Sequence, residues 1–391
     1  MIPRQASDSV KRLAQQFPVI AITGPRQSGK TTLARMVFPE KRYVSFDDRQ
    51  LRELAKDNPL DFLSAFTDGV IIDEAQKVPE LFDALKLIID NGAHVPGKYV
   101  LTGSSQFRLR ENITDSLAGR VGLVKLLPFS VNELKAEKLL PDSPYDLAIR
   151  GFYPPLNDPQ KNFLRDDWYE NYINTYLDLD VKDQINPSNL AAFQKFVRVC
   201  AVYSGQILNY EEISRDIGVS GVTIKSWVSI LEASYIVHLL EPDTNNLGKS
   251  LAKTPKLYFV DPGLLCYLLR IDSKEELLLH SKKGAIIETM AVSELLKHRY
   301  NMAKRSELTY YRDSTGLEVD AIADWKRQFA IEVKSNMASE KKLSVGVRKY
   351  QALRGENVTG CVFYLGDLSC NIDGIQYVSW RDWGDFDWKE V

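Results

Sequence analysis

Eight consecutive residues, Gly24-Pro25-Arg26-Gln27-Ser28-Gly29-Lys30-Thr31, carry glycine, lysine and threonine at the G-x-x-x-x-G-K-T spacing. Glycines let the backbone wrap tightly, and a helix opening at Lys30 turns its unpaired N–H groups toward an anion. Pro25, Arg26, Gln27, Ser28 and Thr32 complete the surface that such a loop offers to a polyphosphate. In this arrangement Lys30 neutralises charge on the β- and γ-phosphates and Thr31 offers a hydroxyl to Mg²⁺. The chemistry expected is that of ATP bound with Mg²⁺.

A second segment, Val70-Ile71-Ile72-Asp73-Glu74, sends an apolar strand into two carboxylates. Asp73 is expected at the strand's C-terminal end, holding Mg²⁺ beside Thr31, and Glu74 is placed to orient or deprotonate an attacking water. That pair turns an expectation of binding into one of hydrolysis. Ser104 or Ser105 closes a further strand and can reach the water or the γ-phosphate. Arg120, in a stretch that also holds Arg108 and Arg110, is a candidate to complete the site of a neighbouring subunit. Arg26 competes for that role, and an ordinary salt bridge is the plain alternative for Arg120.

Near the other end, Asp320 lies in Leu317-Glu318-Val319-Asp320-Ala321-Ile322, and twelve residues later comes Phe329-Ala330-Ile331-Glu332-Val333-Lys334. Both read as strands joined by a turn near Trp325, and Glu332 and Lys334 share a face because alternate side chains do. An Asp beside Glu-x-Lys is a constellation of metal-dependent nucleases: Asp320 and Glu332 hold Mg²⁺, and Lys334 activates water or stabilises the phosphorane. Glu288 falls on an apolar helical stripe, where a carboxylate needs a partner; the metal, Lys334 or Arg312 each supplies one. An active nuclease, a DNA-binding module without cleavage and a structural ion-pair network remain open.

Short apolar strands must position these groups. Strands are expected at 19–23, 42–48, 69–74, 98–105 and within 119–128, with helices over 30–37 and 79–90 between them. This alternation predicts an α/β fold with a parallel sheet covered on both faces and ligands at the strand C-termini. Residues 142–159 are rich in Pro, Asp and Gly and read as a boundary or exposed loop. Residues 166–179 form an amphipathic helix. Asn209 caps a helix that Gly218 ends, and a second helix follows over 222–233, with Ile213, Ile217, Val222 and Trp227 packing the pair. The second helix offers only Lys225 against Glu232, so a groove-reading role and a protein-contact role both stand.

At 391 residues the chain holds two or three domains at about 100 to 200 residues each. Its 44% hydrophobic and 26% charged residues exclude a disordered chain. Cys200, Cys266, Cys361 and Cys370 make no Cys-x-x-Cys pair, so reduced thiols are expected and no zinc site. The opening residues carry no apolar secretion signal, and no run reaches the roughly 20 apolar residues of a membrane span. A cytoplasmic protein is the expectation. The net charge of −2 hides an asymmetry: residues 281–350 hold 14 Lys+Arg against 9 Asp+Glu, leaving −7 for the remainder. That segment attracts a phosphate backbone or is a solvated face.

Taken together, the motifs at 24–31, 71–76 (Ile-Ile-Asp-Glu-Ala-Gln), 101–105 (Leu-Thr-Gly-Ser-Ser) and 117–120 (Leu-Ala-Gly-Arg) resemble a family of prokaryotic AAA+-like P-loop ATPases. The stretches at 256–264 (Lys-Leu-Tyr-Phe-Val-Asp-Pro-Gly-Leu) and 284–289 (Gly-Ala-Ile-Ile-Glu-Thr) are similar to that family's C-terminal domain of unknown function. The resemblance implies an ATPase core over 1–135, a helical lid and winged-helix-like region over 136–255, and a restriction-endonuclease-like domain over 256–391. By the same resemblance Lys30 and Thr31 are the phosphate-loop pair, Asp73 and Glu74 the Mg²⁺ and water pair, and Ser104 or Ser105 the sensor. No second sensor arginine stands out in the lid. Such cores are often completed by a second copy, so a homo-oligomer is the association implied; the basic segment with Asp320, Glu332 and Lys334 points to nucleic acid, an ATP-controlled interaction or signalling switch would have a protein partner, and no membrane association is expected.

Overall fold

The computed structural model describes residues 2–92, 95–103, 113, 115–177, 181, 184–185, 187–243, 254–355 and 357–384. By contact the chain forms two compact units. One is Met1–Pro128 with Ala233–Tyr235 and Arg299–Arg305; the other is Phe129–Glu232 with Ile236–His298 and Ser306–Val391.

The first unit is built on five strands: β1 (Val19–Thr23), β2 (Arg42–Ser45), β3 (Val70–Asp73), β4 (Tyr99–Thr102) and β5 (Val121–Lys125), in the order β2-β3-β4-β1-β5. All its pairings are parallel, as short apolar strands alternating with helices require. β1 is buried along its whole length because both faces are covered. Val19 and Ala21 join a core with Phe62, Leu81 and Phe82, while Ile20 and Ile22 join another with Val10, Leu33 and Ala34. Register puts the strand ends level: Ile22 faces Thr102, Thr23 faces Lys125, and Ser45 faces Asp73. Every polar group at a strand terminus is thereby delivered to one edge.

In the second unit, residues 142–159, expected as a boundary or an exposed loop, contain a helix. Pro144–Arg150 is an α-helix with Ser143 as its N-cap, Pro144 in its first turn and Gly151 at its end (φ 76°). The proline and glycine that suggested a loop are the helix's own start and stop signals. The helix Arg165–Tyr176 buries Trp168, Tyr169, Tyr172 and Tyr176, with Trp168 stacked on Tyr172 at 5.1 Å. Asn209 caps Tyr210–Ile217, and Gly218 ends that helix in the left-handed conformation. The partner helix Gly221–Ala233 buries Ile224, Trp227, Val228 and Leu231. Val222, expected in that packing, is 81% exposed: it lies two residues before Ile224, on the side of the helix opposite the buried stripe.

Among the described residues, nine strands form the second sheet. They are β6 (Gln206–Ile207), β7 (Val237–Pro242), β8 (Lys256–Phe259), β9 (Leu308–Arg312), β10 (Glu318–Asp324), β11 (Gln328–Lys334), β12 (Val358–Tyr364), β13 (Cys370–Ile372) and β14 (Ile375–Ser379), ordered β13-β14-β12-β11-β10-β9-β7-β8-β6. β10 and β11 form the expected antiparallel hairpin. β7 pairs antiparallel with β8 and parallel with β9, so the sheet runs unbroken across residue 255. Cys200, Cys266 and Cys361 are buried, Cys370 is exposed, and all four are free.

Candidate functional site

Gly24 leaves β1 with φ 145°, and a Cβ there would lie 2.0 Å from the Leu126 carbonyl oxygen. Only glycine fits. Gln27 (φ 59°) and Gly29 (φ 93°) take left-handed conformations that close the loop onto the helix Lys30–Val37. Lys30 is buried, its Nζ donating to the carbonyls of Gly24 at 2.9 Å and Pro25 at 2.7 Å. Ser28 is buried, Arg26 half-buried, and Gln27 and Thr32 exposed. Loop and helix therefore present a lysine over a glycine-bounded turn at the strand edge.

Asp73 is the hub of this edge. Its Oδ2 accepts from Thr31 Oγ1 at 3.0 Å and from the Tyr43 hydroxyl at 2.9 Å. Its Oδ1 accepts from the Glu74 N–H at 3.2 Å and from the Thr102 hydroxyl. Burial, and then the Asp73 carboxylate, push the Tyr43 hydroxyl up to about 12, so it stays a donor. Carboxylate and hydroxyl oxygens beside one another are the donor set of a hard divalent cation such as Mg²⁺. Glu74 follows in the left-handed conformation, with φ 55°. Its Oε2 accepts from the amide of Gln76, itself buried. A non-glycine residue held in that region at a strand end is the kind of local strain that collects at functional sites.

Sequence reading missed Thr102 and Tyr43. Each lies on a strand neighbouring β3, and only register tells which hydroxyl reaches Asp73; the signal available was a strand ending in Thr-Gly. Ser104, Ser105, Arg108 and Arg110 lie outside the described residues. Arg120 grips Asp90, Nε to Oδ1 at 2.7 Å and Nη2 to Oδ2 at 2.9 Å, and also donates to Ala118 O at 3.0 Å. The arginine's hydrogen bonds hold the Asp90 carboxyl below its ordinary value.

In the second unit the expected metal-binding carboxylates meet a lysine. Lys256 Nζ, at the start of β8, lies 3.2 Å from Glu288 Oε1, 2.6 Å from Glu318 Oε1 and 4.0 Å from Asp320 Oδ1, with its side chain 3% exposed. Burial opposes the ammonium charge, but Glu288, Asp320 and Glu318 outweigh it and raise the Lys256 pKa. Tyr258 donates to Glu288 Oε1 at 2.5 Å. Burial and the Asp320 charge push the Glu288 carboxyl upward, against the pull of Lys256. The side-chain partners of Glu288 are thus Lys256 and Tyr258, where a metal cluster, Lys334 or Arg312 had been expected. Lys334 turns onto Glu332 Oε1 at 2.5 Å, and Asp320 Oδ2 accepts from the Val333 N–H at 2.8 Å. Among the described residues no group of three or more His, Cys, Asp or Glu side chains is disposed to hold a metal ion. The ammonium of Lys256 thus lies among Glu288, Glu318 and Asp320, while Glu332 pairs with Lys334.

Within the basic segment, Lys297 is buried against Glu294 at 2.8 Å, Lys341 sits 2.6 Å from Asp373, and Lys342 sits 2.6 Å from Glu340. No helix among the described residues is long and apolar enough to cross a membrane.

Comparison with known proteins divides the chain in three. Residues 16–135 match the AAA domain family, 142–275 match a domain of unknown function (DUF8612), and 283–383 match another (DUF4143). The uncharacterized proteins Rv2008c of Mycobacterium tuberculosis and Mb2031c of Mycobacterium bovis are each 30% identical over 333 residues, which is 85% of this chain and 73% of theirs. Among solved structures, the Walker-type ATPase paby2304 of Pyrococcus abyssi is 17% identical with a TM-score of 0.44, covering 69% of this chain and 96% of its own.

Proposed function

Because this chain belongs to the family that includes the mycobacterial proteins Rv2008c and Mb2031c, with an AAA domain at residues 16–135, we propose that it binds ATP with Mg²⁺ at residues 24–32 and hydrolyses it. The observation that carries this reading is the convergence of Thr31, Thr102 and Tyr43 on Asp73, with Glu74 next in the chain. Lys30 leaves the loop carbonyls to meet the β- and γ-phosphates, and the loop N–H groups hold their oxygens. Thr31 and Asp73 hold Mg²⁺, which when bound neutralises charge that builds on the phosphates. Glu74 accepts a proton from water, and Gln76 positions it by donating to its carboxylate. Arg120 serves a neighbouring copy only by leaving Asp90; the bidentate grip favours its role as a local brace. Titration of ATP and Mg²⁺ into wild-type and K30A protein tests the reading: wild type binds, and K30A loses at least tenfold in affinity. Equal binding by the two sinks it.

ATP turnover is read as controlling the region beyond residue 256, and two accounts of that region differ. In the first, a restriction-endonuclease-like domain uses Asp320, Glu332, Glu288 and Lys334 to process nucleic acid. In the second, an ATP-controlled interaction or signalling switch, the domain recognises a protein and cleaves nothing. The seat of Lys256 among the carboxylates favours the second. Incubation with labelled single- and double-stranded DNA and Mg²⁺ or Mn²⁺ separates them. No cleavage is expected under conditions that support ATP turnover; cleavage lost in D320A and E332A establishes the first.

A further inference from the structure

A buried guanidinium underlies the phosphate loop. Arg4, 5% exposed, precedes the helix Ser7–Ala14 and takes no part in the chemistry described above. Its Nη1 donates to Ser28 O at 2.6 Å, and its Nη2 to Leu127 O at 2.7 Å and Pro128 O at 3.4 Å. Ser28 is at the far end of the loop. Leu127 and Pro128 follow Leu126, whose N–H donates to Thr23 O at 2.7 Å and whose carbonyl leaves Gly24 no room for a side chain. The segment leaving β5 thus supports the near end of the loop directly and its far end through Arg4.

In a trans peptide the carbonyl and the following N–H point in opposite directions, and no cis bond occurs among the described residues. Drawing Ser28 O down onto Arg4 therefore aims the Gly29 N–H the other way, toward the face where phosphate is expected. That N–H meets no acceptor among the described residues. Gly29 is also the N-cap of the helix Lys30–Val37, so the same peptide sets where the helix opens.

We infer that Arg4 is a positioning residue for the phosphate loop: by holding the Ser28 carbonyl it presets the Gly29 N–H to receive a phosphate oxygen before nucleotide arrives. This rests on the ATP reading of the loop. The planar fork of a guanidinium serves several carbonyls at once, which a lysine ammonium on a flexible stem does not reproduce. Phosphate is held in the ground state and the transition state alike, so loss of Arg4 falls on affinity and KM more than on kcat.

The test uses the full chain, with a fluorescent ATP analogue for affinity, phosphate release for kinetics and a melting temperature for each variant. R4A is expected to raise Kd and KM about tenfold or more, from the strength of charge-assisted hydrogen bonds, with kcat little changed. R4K falls between R4A and wild type. Guanidinium ion at low millimolar concentration restores affinity to R4A and does nothing for wild type. R4A with wild-type affinity overturns the inference. So does a loss of affinity that follows a lowered melting temperature and that guanidinium does not rescue, because Arg4 then serves the fold alone. If R4A does not fold, R4K decides: a native melting temperature with raised KM supports the role, and a native melting temperature with native KM rejects it. Wild-type protein that binds no ATP rejects the underlying reading and this inference together; binding that survives intact in both variants rejects this inference only.

Discussion

At the scale of residues, the site is organised around one carboxylate with several donors. Asp73 accepts from Thr31, Tyr43, Thr102 and the Glu74 N–H, and such outer contacts fix both the direction and the basicity of a metal-binding oxygen. T102V is expected to raise the Mg²⁺ concentration needed for half-maximal ATP turnover about 10-fold to 100-fold, with T102S close to wild type. Y43F, altering a more exposed contact, shifts it less. A T102V profile that overlays the wild type removes Thr102 from the site. Lys30, Thr31, Asp73 and Glu74 were legible in the sequence because a loop motif and a strand ending in two acids are local patterns. Thr102 and Tyr43 were not, because β2 and β4 are brought to β3 by pairing residues 28 and 29 apart in the chain, and nothing local encodes that register. The same holds for Lys256, whose partners lie on the helix Lys283–Asn301 and on β10.

At the scale of elements, periodicity served well where strands were apolar throughout. β1, β3 and β4 and the helices Lys30–Val37 and Glu80–Asp90 lie close to where their hydrophobic runs place them. It failed at Pro144–Arg150, where composition outweighed capping. Ser143 accepts from the Tyr145 N–H at 3.3 Å, and Tyr145, Leu147, Ala148 and Ile149 are buried. S143A is therefore expected to destabilise the second unit by about 1 kcal/mol in denaturant unfolding. The helix Gly221–Ala233 gives a paired contrast. W227A removes a ring packed against Phe193 at 5.3 Å and Phe196 at 5.4 Å, at a cost of about 3–5 kcal/mol. V222S, at an exposed position, should stay within about 0.5 kcal/mol of wild type. A large loss in V222S would mean that this face is covered by a partner.

At the scale of the whole molecule, the chain carries an AAA domain and a second unit whose sheet runs without a break from β13 to β6. The resemblance implied a division at residue 255, and β7 and β8, on either side of it, are hydrogen-bonded neighbours. Lys256 ties the same junction together through Glu288 and Glu318. Removing one partner of a buried charge cluster costs about 3–5 kcal/mol, so K256M should lower the stability of the second unit by that order while K256R retains most of it. If Lys256 is the resident cation there, D320A and E332A leave the Mn²⁺ affinity of nucleotide-free protein unchanged. A drop in Mn²⁺ affinity in either variant restores the metal-dependent nuclease reading.

The central claim is that Glu74 turns a nucleotide-binding loop into a hydrolytic site, and the most direct measurement is single-turnover phosphate release from Mg²⁺-ATP by wild-type and E74Q protein. The account predicts that E74Q holds ATP with wild-type affinity while its hydrolysis falls by about 10²-fold to 10⁴-fold, the usual contribution of a positioned general base. Hydrolysis at the wild-type rate in E74Q, or its absence in wild type with ATP bound, contradicts it.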